Sequence, residues 1–141
     1  MGIGTRILVV AAVGAASVCA AVTGTGPAAA ATTVWFQTEP MPFGNPNGSF
    51  DAAPYQCVGV VGEKPGVLTI TGGDREGWGC SDFSPIHWVN LSTGATGSAK
   101  TTSALKNIAP HATLHTGRGQ VALVLTVPGV YTPGFLRVWV P

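Results

Sequence analysis

From Thr32 to Pro141, glycine and proline turn signals recur every 8–12 residues, and no run of 10 residues carries helical periodicity. This punctuation is the tightest constraint on the chain. Between the breakers lie short stretches rich in β-branched and aromatic residues, several alternating with period 2. A chain interrupted this often can build only short strands joined by tight turns. Seven or eight such strands, each with one apolar face, call for two sheets packed on each other, with a small closed barrel as the alternative. The expectation is a single all-β sandwich.

The stretch from Ser84 to Gly97 anchors this reading. Pro85 opens a strand, Ile86 to Leu91 continue it, and Ser92, Thr93 and Gly94 carry turn chemistry. Alternation sets Ile86, Trp88 and Asn90 against His87, Val89 and Leu91, so both faces are largely apolar, as in a central strand. Gly97 to Ser103 reads as its more polar hairpin partner. Gln120 to Val127 presents Val121, Leu123, Leu125 and Val127 on one face; Phe135 to Val140 points Leu136, Val138 and Val140 inward and Arg137 and Trp139 outward. Thr32–Gln37, Gln56–Val61, Val67–Thr71 and Ala112–Thr116 supply further strands. Residues 39–54 and 72–84 form two long loops, and 104–110 has room for one helical turn before Pro110.

The first 31 residues do not belong to the sandwich. One positive charge at Arg6, an apolar run of about 16 residues and Ala28-Ala29-Ala30-Ala31 make a secretory signal peptide, with cleavage expected after Ala31. The run is shorter than the roughly 20 residues that span a bilayer. The domain is therefore residues 32–141, secreted, with no membrane span. Cys19 leaves with the leader. Cys57 and Cys80 remain and pair into one disulfide, whose loop closure is worth about 3 kcal/mol.

Residues 32–141 hold six basic and six acidic side chains, so the formal charge is zero. No basic stripe exists to bind nucleic acid. The acids are unevenly spread, however, and none follows Asp82.

No catalytic or metal-binding motif stands above this background. His111 and His115, four apart on an extended strand, lie about 13 Å apart and cannot share a metal. Ser81, Asp82 and His87 supply the residue types of a hydrolytic triad without a nucleophile elbow. Asp74, Glu76 and Asp82 cluster without the spacing of a calcium loop. No catalytic residue, metal or cofactor is therefore assigned. Exposed aromatics are the better signal: Trp78, in the loop beside Cys80, and Trp139, outward on the last strand, are the candidate contacts for a protein or carbohydrate partner.

Three stretches carry a family likeness: Trp88-Val-Asn-Leu-Ser-Thr-Gly-Ala-Thr-Gly97, the run Thr116-Gly-Arg-Gly-Gln-Val-Ala-Leu-Val-Leu-Thr, and the terminal Pro-Gly-Phe-Leu-Arg-Val-Trp-Val-Pro. Over roughly the C-terminal half of the domain the chain resembles small exported immunoglobulin-like β-sandwich proteins of high-GC Gram-positive bacteria. The resemblance implies compartment and fold, and carries over no functional residue. The functional expectation is a monomeric, non-enzymatic binding protein at or outside the cell envelope. The alternatives are a small secreted hydrolase using His87 or His111 and a protease-inhibitor-like domain presenting residues 77–82.

Overall fold

The computed structural model of the chain describes residues 30–42, 55–73, 79–104, 108–129 and 131–141. Ten strands follow in order: β1 (Thr32–Trp35), β2 (Met41–Pro42), β3 (Cys57–Val61), β4 (Val67–Gly72), β5 (Pro85–Asn90), β6 (Thr96–Lys100), β7 (Ala112–His115), β8 (Gly119–Leu125), β9 (Tyr131–Thr132) and β10 (Gly134–Val140). One antiparallel sheet has the order β1-β3-β4-β7 and a second the order β10-β8-β5-β6; β2 and β9 form a separate pair. The described residues contain no helix, so none is long and apolar enough to cross a membrane. The expected leader lies outside the described residues except for Ala30 and Ala31, and so do residues 105–107 of the 104–110 stretch.

Alternation builds the core. In β10 every second residue is buried, and β4 and β8 do the same. Ile86, Val121, Leu123, Leu125, Leu136, Val138 and Val140 of the second sheet meet Leu68, Ile70 and Leu114 of the first in one cluster. The two sheets therefore share a single core, and each fully buried aliphatic side chain contributes about 1.5–3 kcal/mol to holding them together. Strand β5 is central, between β8 and β6. Trp88 is not its deepest anchor, however. The indole is only half-buried and lies over Gly97 of the neighbouring strand, where a Cβ would approach Trp88 Cζ2 to 2.5 Å. Ile86 and Asn90, with no exposed surface, are the buried members of that face.

The N-terminal segment ties the sheets along one side. After β1 the chain passes through buried Phe36 and changes sheets. The Gln37 and Thr38 N–H groups donate to the Phe135 carbonyl, and the Phe135 N–H donates back to Thr38 O. The Arg137 N–H donates to Gln37 Oε1 at 2.6 Å. The start of the first long loop is also more ordered than its composition implies. Met41 and Pro42 pair with Thr132 and Tyr131, and the Tyr55 N–H donates to Pro40 O. Residues 43–54 lie outside the described residues. Cys57 and Cys80 are bridged, and the Glu39 carboxylate accepts the Cys57 N–H at 3.0 Å. Burial pushes the Glu39 carboxyl above its ordinary value of 4.5, and that hydrogen bond opposes the shift.

On the opposite side Asn90 closes the sandwich. Its Nδ2 donates to Thr116 O at 2.9 Å and Arg118 O at 3.0 Å. Its Oδ1 accepts the Ser92 N–H at 3.0 Å and the Thr93 N–H at 3.2 Å. One amide thus shapes the β5–β6 turn and grips the β7–β8 connection, which runs from one sheet to the other. All of its donors and one acceptor atom are used, as a buried amide requires. Gly119 makes the approach possible. Its φ is +128°, and a Cβ there would lie 2.7 Å from Ser92 Oγ and 3.0 Å from Asn90 Oδ1.

Replacing Asn90 with Ala strands the buried Thr116 carbonyl, the partly buried Arg118 carbonyl and two turn N–H groups. At 1–3 kcal/mol per unsatisfied buried group, with the turn side able to rehydrate, Asn90→Ala should lower the unfolding free energy in urea by about 3 kcal/mol. Glu39→Gln keeps an acceptor for Cys57 N–H and removes a partly buried charge. Because the folded pKa is raised, ionisation costs the native state stability as pH rises through 4.5 and above. Glu39→Gln should therefore melt above the parent at pH 7, with the difference vanishing below the carboxyl's unfolded pKa.

Candidate functional site

Strand pairing lays out the outer face of the second sheet row by row. Phe135, Val124, His87 and Ser98 stand side by side across the four strands, and the next row is Arg137, Ala122, Val89 and Thr96. Trp139 pairs with Gln120, next to Leu91 at the end of β5. These positions alternate with the core residues, so their side chains point away from it.

This face is apolar where a solvated face would be polar. Leu91 (54%), Val124 (37%), Phe135 (38%) and Trp139 (62%) all expose large hydrophobic surface. Small residues leave an open depression of about 630 Å³ bordered by His87, Val89, Ser98, Ala122, Val124 and Phe135, with Leu91 and Trp139 in a row farther along the face. That volume falls within the roughly 300–1,000 Å³ of small-molecule and side-chain pockets. The outer face of the first sheet is different. Its rows combine Thr33, Val60, Thr69 and Thr113, with Trp35 as the one exposed large hydrophobic.

Charge on the candidate face has one sign. None of β5, β6, β8 and β10 contains an acidic residue, whereas Arg137 stands on the outer face and Lys100 at its margin. The Lys100 ammonium lies 5.7 Å from the centroid of the Phe83 ring. Phe83 is 53% exposed and adopts φ +48°, the left-handed region that is costly for a residue with a Cβ. The residues around it hold it there. The Ser84 N–H donates to Thr101 Oγ1 at 2.7 Å, and Thr101 Oγ1 donates to Ser81 O at 2.8 Å, both within buried structure.

Of the two aromatic contacts expected from sequence, Trp139 stands outward on β10 as alternation requires, and Trp78 lies outside the described residues. Alternation alone could have found Phe135 and Val124. Phe83 carries no comparable signal, because its exposure depends on a turn conformation set by Thr101, which lies 17 residues beyond Ser84.

The polar candidates stay apart. His87 is on the outer face, Ser81 is buried with its Oγ toward Asp82 O at 3.5 Å, and Asp82 is exposed. Among the described residues the hydroxyl that bonds a histidine ring is that of Thr102, 3.2 Å from His111 Nδ1. No group of three metal-ligating side chains occurs among the described residues. Asp74 and Glu76 lie outside them.

No protein-family model, curated protein or solved structure matches this chain.

Proposed function

We propose that this is an exported, non-enzymatic, immunoglobulin-type sandwich that works by binding a partner through the outer face of β10-β8-β5-β6. The observation that carries the reading is the exposure of Val124 and Phe135 at the border of the depression, with Leu91 and Trp139 exposed farther along the same face. Contiguous exposed apolar surface is costly in a monomer and marks interaction sites. The leader sequence and the Cys57–Cys80 bridge support export, since disulfides persist in oxidising compartments.

Strand order supports the immunoglobulin-type assignment. β3 and β4 pair as neighbours, the chain crosses to the β5–β6 hairpin, returns for β7, crosses again to β8 and finishes with β10 beside β8. Named in that order, the strands are A, B, C, C′, E, F and G, with no D strand and with β1 added outside A. The bridge departs from the antibody pattern. It joins the start of A to the B–C connection rather than joining B to F.

The anionic dye 1-anilinonaphthalene-8-sulfonate tests the face directly. It should bind the folded protein, and Val124→Asp or Phe135→Ser should weaken that binding by about tenfold without lowering the melting temperature substantially. Trp35→Ser, on the other sheet, should leave binding unchanged. Dye binding that is insensitive to Val124→Asp and Phe135→Ser would contradict the assignment.

A further inference from the structure

The second sheet's two edges are finished differently. In the β5–β6 register the Asn90 N–H bonds Ala95 O and the Thr101 N–H bonds Ser84 O. The inward-bonding positions of β6 are therefore Gly97 and Ala99, and the N–H and C=O groups of Thr96, Ser98 and Lys100 point away from the sheet. Among the described residues nothing bonds to them. On the other edge, β10 is covered at Phe135 and Arg137 by Gln37 and Thr38, and the Pro141 carbonyl accepts the Gly66 N–H. Open edges are normally blunted by proline, bulges or covering segments; along Thr96–Lys100 β6 has only Lys100, and the open stretch ends at Thr102, whose N–H donates to His111 O.

We propose that β6 is a docking edge for an extended polypeptide segment, which adds as a fifth strand and sets an apolar side chain into the depression on the outer face. This rests on the face being the binding surface. Three observations choose the occupant. The open groups of Thr96, Ser98 and Lys100 recur every second residue, the spacing that an extended backbone matches and that a sugar or globular surface does not. The depression begins at β6 itself, bordered by Thr96 and Ser98, small enough for a side chain of the added strand to pass over them toward Val89 and Val124. The four strands carry Lys100 at the open edge, Arg137 across the face and no acid, the exposed Asp82 lying outside them in the turn beside Phe83. The segment should therefore combine a bulky apolar residue with neighbouring carboxylates. Phe83, in a left-handed conformation, lies against the Lys100 ammonium at that end of the hairpin.

The test is a ¹⁵N chemical-shift titration of the intact domain with a short synthetic peptide of alternating valine and threonine, one central phenylalanine and a glutamate at each end. A copy N-methylated on alternate amides is the control, and the naphthalene sulfonate dye is run in parallel. The expected result is shifts at the Thr96, Ser98 and Lys100 amides together with Val89 and Val124. Affinity should fall about tenfold or more with the N-methylated copy. Ser98→Pro, which removes one outward N–H at a position where an edge strand tolerates proline, should cause a comparable loss while its spectrum stays dispersed. Equal binding of the N-methylated copy, or dye binding with no peptide binding, overturns strand addition and leaves the face standing. Failure of both peptide and dye removes the face as well. Concentration-dependent dimerisation abolished by Ser98→Pro would make the occupant a second copy of this chain, which also contradicts the proposal.

Discussion

The Asn90 carboxamide is the interaction on which the two-sheet arrangement depends. Hydrophobic burial drives the sheets together but is non-directional, and it does not by itself fix how one sheet sits on the other. Asn90 does so with four hydrogen bonds at a point with no exposed surface, joining the β5–β6 turn to the segment that carries the chain from β7 into β8. A buried polar group is tolerated only when satisfied, and once satisfied it specifies one geometry. Gly119 is the backbone side of the same constraint, since any Cβ there collides with the turn that Asn90 organises. The disulfide, Glu39 and the Gln37–Phe135 bonds brace the opposite flank. The sandwich is clasped on both sides, and its broad outer faces are left to interact.

Those faces are not equivalent. The first sheet presents threonine and valine at half-buried or exposed positions around a single tryptophan. The second presents four exposed hydrophobic side chains, a depression, cationic groups and an open edge strand. Trp88 contributes from the inside. Its indole lies over Gly97, the inward position of β6 beside it. The strain at Phe83 belongs to the same corner. A left-handed aromatic persists only because Ser81, Ser84 and Thr101 over-determine the turn.

Much of the fold was legible in the sequence because alternation is a local signal. Leu136, Val138 and Val140 inward and Trp139 outward follow from period 2 alone, as does the central position of β5 from its two apolar faces. Two cysteines in residues 32–141 left one pairing, and the structure has it. What escaped depends on distant partners. Two-residue strands such as Met41–Pro42 and Tyr131–Thr132 are too short to carry a period, so a loop was expected where they pair. Asn90 reads locally as the first residue of an Asn-Leu-Ser sequon, and only the fold places it against Thr116 and Arg118, more than 25 positions away. A tryptophan in mid-strand reads as a core anchor, and Trp88 does pack against the core cluster, but only partly buried, with its indole over Gly97 of β6. The candidate face was legible in part: alternation points Trp139, Phe135 and Val124 outward, whereas the pairing of β10, β8 and β5 that sets Phe135 beside Val124 is not a local signal.

Native-state amide hydrogen exchange tests the claim that Asn90 makes the two sheets one cooperative unit. The Ile70 amide in β4 and the Leu123 amide in β8 report on different sheets and are both fully buried. If the account is right, both exchange through the same global opening, and Asn90→Ala lowers their opening free energies by equal amounts. Unequal loss, with one sheet keeping its protection while the other exchanges freely, would show that the sheets are held together by something other than this residue.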